Sequence, residues 1–155
     1  MDRATIETLE RAFSSLTADN RWVADDTMKD AIWTRREGEQ NFYELTLAPN
    51  GMHLDFMCRS ELIVPSEYLG KLQLLAFPRF NEEAAGRFSL VHNSIVYSYC
   101  WFIPQMDDLA AEINRVAEDV FRSYISYEHA MNLVLGQGLD VEEALSLCRG
   151  VAGEA

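Results

Sequence analysis

The chain is poor in the residues that build metal and redox sites, with three cysteines and three histidines in 155 residues. Cys58, Cys100 and Cys148 cannot all pair, and their separations of 42 and 48 residues fit no zinc ligand set. Each has apolar neighbours, which predicts reduced, buried side chains. His53, His92 and His129 fall on the polar face of a strand, at a turn and late in a helix, and no HxxxH or CxxC spacing occurs. No metal or other cofactor is expected. Positive charge is scarce too: 13 Lys and Arg stand against 25 Asp and Glu, for a formal net charge of −12. With no basic cluster beyond Arg35-Arg36, such a surface repels polyanions, which argues against nucleic-acid binding. It would instead attract basic segments of a partner. No apolar run approaches the ~18 residues that cross a bilayer, and residues 1–5 lack the layout of a secretory leader. A soluble, cytoplasmic protein without membrane contact is expected.

Catalytic signatures are missing as well. There is no G-x-S-x-G elbow, and Cys100 lies mid-strand among bulky apolar residues that disfavour a thiolate. Gly136-Gln137-Gly138 lacks the Gly-Lys-Ser/Thr ending of a phosphate loop and is followed by acids. The acid pairs Asp25-Asp26, Glu82-Glu83 and Glu142-Glu143 are most simply solvated or capping groups. A non-enzymatic protein is expected.

What is present is a core. Apolar residues make up 48% and aromatics 11%, enough for a single domain over residues 1–155. Ile6, Leu9, Phe13 and Leu16 mark an amphipathic helix over about residues 5–19, ending at Asp19-Asn20. Strand-like segments follow at 21–25, 30–37, 41–48 and 51–61, with Glu37-Gly38-Glu39 as one turn and Pro49-Asn50-Gly51 as a hairpin signal. Tyr43, Leu45 and Leu47 alternate with Glu44 and Thr46, and Met52, Leu54, Phe56 and Cys58 with His53, Asp55 and Arg59. That is a meander with one buried side. Pro65-Ser66-Glu67 opens a second helix that turns Tyr68, Leu69, Leu72 and Leu75 inward, until Pro78 breaks or bends it. Strands at 87–92 and 95–103 flank a turn at Asn93-Ser94. Asp107-Asp108 starts a long helix striped by Ile113, Val116, Val120, Tyr124, Tyr127, Met131 and Val134, which Gly136 or Gly138 ends. Asp140, with Glu143 three residues on, caps a short last helix. The order α-β-β-β-β-α-β-β-α-α gives an α+β fold, a twisted antiparallel sheet of about six strands packed by helices.

The strand at 95–103 stands out. Ile95, Tyr97, Tyr99, Trp101 and Ile103 occupy one face, and Val96, Cys100 and Phe102 the other, with only Ser98 polar. A strand apolar on both faces is normally buried on both, so the second face is expected to meet another chain. Tyr97 and Trp101 are read as core. Val96, Cys100 and Phe102, together with the aromatics Trp33 and Phe42, form the candidate dimer or partner surface.

Phe80-Asn81-Glu82-Glu83 followed by Gly86-Arg87-Phe88-Ser89-Leu90 is similar to the asparagine, glycine and Phe-x-Leu strand of the bacterial YbjN-domain family. Ile95-Val96-Tyr97 resembles that family's next strand, and Ala130-Met131-Asn132-Leu133-Val134 the apolar run closing its long helix. Gly138 to Ala144, with Gly153-Glu154-Ala155, resembles the ending of one bacterial branch. The resemblance implies a fold like that of type III secretion chaperones, commonly dimeric, and a chaperone-like or sensory-transduction role without catalytic residues. The expected function is therefore a homodimer that binds a segment of a partner protein. The alternative is a regulatory module that binds a small ligand between the sheet and the long helix.

Overall fold

The computed structural model describes residues 3–18, 22–25, 32–37, 43–61, 63–104 and 106–153. Phe42, the turns expected at Asp19-Asn20 and Gly38-Glu39, and the terminal Glu154-Ala155 lie outside them. The elements are α1 (Arg3–Ala18), β1 (Val23–Asp25), β2 (Ile32–Glu37), β3 (Tyr43–Asn50), β4 (His53–Ser60), α2 (Ser66–Lys71), a π-helical stretch (Leu72–Ala76), α3 (Phe77–Glu83), β5 (Arg87–Val91), β6 (Ser94–Phe102), α4 (Leu109–Gly136) and α5 (Val141–Gly153). The six strands form one antiparallel sheet in the order β1-β2-β3-β4-β6-β5. This is the α+β class and element order expected from the sequence.

One sheet face carries the core. Leu45, Leu47, Leu54, Phe56 and Cys58 are fully buried, and Phe88 and Tyr97 nearly so. α4 lies along this face: the Tyr43 ring meets Phe121 and Tyr124 edge-on, and Phe88 packs against Tyr124 and Tyr127. α1 packs on α4 and contributes Leu9, Ala12, Phe13 and Leu16 to the same core. Ile6 stays exposed, so the apolar stripe of α1 begins one turn later than its periodicity suggested.

Local signals explain the ends of the elements. Asp108 caps α4 by accepting the Ala111 N–H at 3.2 Å, and Asp140 caps α5 by accepting that of Glu143 at 2.9 Å. Gly138, at φ +70°, takes the left-handed position after α4, and Leu139 N–H returns to Leu133 O at 3.4 Å. The β3–β4 hairpin turns on Gly51-Met52, one step later than expected, so Met52 is exposed rather than part of the buried row. His92 and Asn93, at φ 50° and 64°, make the β5–β6 turn, since two positive values match the twist of a tight hairpin.

The region around Pro78 departs from expectation. α2, the π-helical stretch and α3 run on without a break. The stretch closes with Phe77 N–H on Leu72 O, and Pro78 follows it directly, so the wider turn accommodates the residue without a backbone donor. The wider turn shifts the helical phase, so Leu72, Ala76, Phe77 and Phe80 face inward while Tyr68, Leu74 and Leu75 are exposed.

Two residues of the segment 80–90 have structural duties. The Asn81 amide donates to Phe88 O at 3.1 Å and accepts from Phe88 N–H at 2.7 Å, standing in for a neighbouring strand along the outer edge of β5. Gly86 donates its N–H to the Tyr97 hydroxyl at 2.8 Å. A Cβ there would lie 2.4 Å from Ser98 O and 2.6 Å from the Tyr97 ring.

Candidate functional site: the open sheet face and an apolar cleft

The helices all pack on the core side. α5 rests on α4, and its Glu142 and Arg149 reach Arg79 and Glu83 of α3. Among the described residues no helix covers the opposite sheet face.

Strand register sets out that open face in rows. Arg36, Glu44, Arg59, Val96 and Ser89 align across the sheet, then Thr34, Thr46, Met57, Ser98 and Arg87. Ala48, Asp55 and Cys100 form a third row, and Asn50, His53 and Phe102 a fourth. Phe102 is 70% exposed and stacks on His53 at 4.7 Å, while Met57 and Val91 are also exposed. Arg59 pairs with Glu44 at 3.0 Å and Arg36 with Glu61 at 3.4 Å. Among the described side chains, Arg36, Arg59 and Arg87 therefore stand against Glu44, Asp55 and Glu61, a local charge balance in a chain of −12.

Of the sequence-nominated residues, the structure brings Val96, Cys100 and Phe102 to this face. Val96 is already buried within the chain, in register with Arg59 and Ser89, so it offers little contact surface. Cys100 is exposed rather than core, because strand alternation turns it away from the helices; Cys58 is buried, Cys148 half-buried, and all three are free. Partial burial and neighbouring Asp55 hold the Cys100 thiol above its ordinary pKa. Trp33 is in backbone register with Leu47 of β3, and its side chain lies outside the described ones. Tyr97 is core as expected, whereas Trp101 is only partly buried, its ring edge-on to Phe56.

Sequence reasoning missed two buried polar contacts on the covered side. Arg35, next to solvent-facing Arg36, is 3% exposed, pairs with Glu118 of α4 and lies 5.7 Å over the Trp22 ring. Trp22 donates its indole N–H to Asn114 at 2.8 Å. Alternation along β2 was the available signal: of two adjacent strand residues, one must point inward.

A second feature lies on the helix side, at the end of the sheet. Ser60, Ile63, Val64, Pro65, Tyr68 and Ile95 face Tyr124, Glu128, Met131, Asn132, Leu135 and Gly136 of α4 across a cleft of about 420 Å³. Val64 N–H binds Asn93 O at 2.8 Å, and Lys71 Nζ donates to Val134 O at 3.1 Å, tying both rims to the fold. Tyr43 donates its hydroxyl to Glu128 at 2.7 Å, and burial pushes the Glu128 carboxyl above its ordinary pKa. Tyr124 is fully buried, and its hydroxyl, close to the Ser60 backbone, has no hydrogen-bond partner among the described residues. Tyr124 and Glu128 sit one helical turn apart on α4; a polar pair inside its apolar stripe was the legible sign of this site.

Among the described residues no three His, Cys, Asp or Glu side chains converge as a metal site, and no helix is long and apolar enough to cross a membrane. Comparison with protein-family models, curated proteins and solved structures finds no match for the chain.

Proposed function

We propose that this is a non-enzymatic, YbjN-like protein of chaperone or regulatory type, a homodimer joined through the open sheet face that holds a segment of a partner protein. The observation that carries this reading is the combination of exposed Phe102, Met57 and Val91 with near-neutral charge on that face of a strongly acidic chain. Two copies at −12 each repel, and contact is least costly where the local charge is balanced. At strand spacings of about 4.8 Å and rises of about 3.3 Å per residue, the face is roughly 24 Å wide and 26 Å long. That approaches the ~800 Å² per partner of a standard interface. Two-fold pairing is the commonest closed arrangement, and it leaves the acidic helical layer outward, suited to a basic client segment. The Asn81 cap blunts the β5 edge as a site for strand addition, which favours the face over the edge. An exposed free thiol suits a reducing compartment, and a cytoplasmic location belongs to the proposal.

Cys100 provides the test. Its alkylation should slow several-fold between nanomolar and micromolar protein, with urea-unfolded chain as the reference. A rate independent of concentration would contradict association through this face.

The cleft favours a second reading, a regulatory module that takes a small ligand between the sheet end and α4. Its apolar walls with a few convergent polar groups have the build of a ligand pocket.

A further inference from the structure

The cleft walls are apolar, yet two polar groups in it lack the partners their chemistry calls for. Glu128 accepts a hydrogen bond from Tyr43, but among the described residues no cation contributes to its electrostatics. A carboxylate drawn out of water is stabilised by a counter-charge that also donates hydrogen bonds. The Tyr124 hydroxyl, fully buried and unpartnered, can both donate and accept. An unsatisfied buried hydroxyl of this kind marks a place where another molecule completes the structure. The Asn132 amide lies on the same wall. The carboxylate calls for donors and positive charge at one end of a ligand, for which the Tyr124 oxygen is a second acceptor, and the walls call for an apolar body at the other.

We infer that the cleft binds an aliphatic ammonium group, its charge at Glu128 and Tyr124 and its stem against Ile63, Val64 and Met131. This rests on the small-ligand reading of the cleft and specifies its chemistry. A carboxylate ligand is excluded because it would face Glu128 at close range. A plain hydrocarbon or alcohol would leave the acid without its counter-charge. The ammonium can come from a free alkylamine or from a lysine side chain of a peptide.

Calorimetric titration at pH 7.5 with octylammonium, octanol and octanoate decides the matter. Octylammonium should bind about tenfold or more tighter than octanol, as charge-assisted hydrogen bonds require, and octanoate should not bind. Glu128→Gln should remove the preference while leaving octanol binding unchanged, with far-UV circular dichroism confirming the fold. Ile63→Trp, at an exposed rim position, should weaken both ligands by filling the mouth. A short peptide carrying one lysine between leucines, run beside octylammonium, tells the two sources apart by which binds tighter. Equal binding of octanol and octylammonium would overturn the ammonium assignment and leave the cleft a ligand site. Silence from every probe, unchanged by Ile63→Trp, would overturn both.

Discussion

The two faces of the sheet are built from the same strands, one residue out of step, yet they differ in kind. Phe56 is fully buried, while Met57, its neighbour on β4, is partly exposed. Arg35 is buried against Glu118 and Trp22, while Arg36 reaches out to Glu61. One face draws its stability from α4 and α1; the other has no helix among the described residues and holds exposed apolar side chains among paired charges. The covered face therefore explains why the chain folds, and the open face is where it has surface to offer another molecule.

The sharpest way to break this contrast is substitution along β4. Phe56→Ala should cost about 3–5 kcal/mol in urea unfolding, as loss of a buried aromatic does. Met57→Ala should cost about 1 kcal/mol or less when both are measured at nanomolar protein, where the chain is monomeric. Similar costs would mean that both faces are packed within one chain. Arg35→Ala should cost about 2–4 kcal/mol, because it removes a buried side chain that packs on Trp22 and pairs with Glu118, whereas Arg36→Ala at an exposed pair should cost about 0–1 kcal/mol. Gly86→Ala comes next. Its Cβ would meet the Ser98 carbonyl and the Tyr97 ring, and relieving that overlap should cost about 1–3 kcal/mol. A neutral result would show that β5 does not approach β6 so closely.

The smallest effect concerns Glu128. Its folded-state pKa lies above the unfolded value because burial disfavours the charged form. The corresponding stability is present below the unfolded value and is lost as pH rises through the folded one. Glu128→Gln should therefore match the parent protein near pH 4 and exceed its melting temperature near pH 7. A variant less stable at pH 7 than at pH 4, relative to the parent, would place the carboxylate in a favourable ionic setting instead.

What the sequence made legible were features that repeat or punctuate. The stripe of α4 runs for 28 residues, so single exceptions do not hide it. The alternation in β3 and β4 assigned their faces, and the caps at Asp108 and Asp140 are local. The contacts that escaped are long-range: Arg35 meets Glu118 83 residues on, and Trp22 meets Asn114 92 residues on. The π-helical stretch was hidden for another reason. One extra residue per turn changes which leucines face inward, and a pattern assuming constant period places Leu75 inside. Strand β6 was read as apolar on both faces, and alternation was correct. Residue type alone did not show that Val96 is shielded within the chain while Phe102 is left out. The cleft draws on Ser60, the loop after it, α2, β6 and α4, and only α4 offered a local hint.

The central claim, that the open face joins two copies, is tested most directly by mass in solution. Light scattering at micromolar concentration should give twice the 17.7 kDa chain mass. Phe102→Glu, which places a charge at the most exposed aromatic of that face, should return the protein to monomer with its fold intact. A parent protein that is monomeric across that range, or a Phe102→Glu variant that stays dimeric, would contradict it.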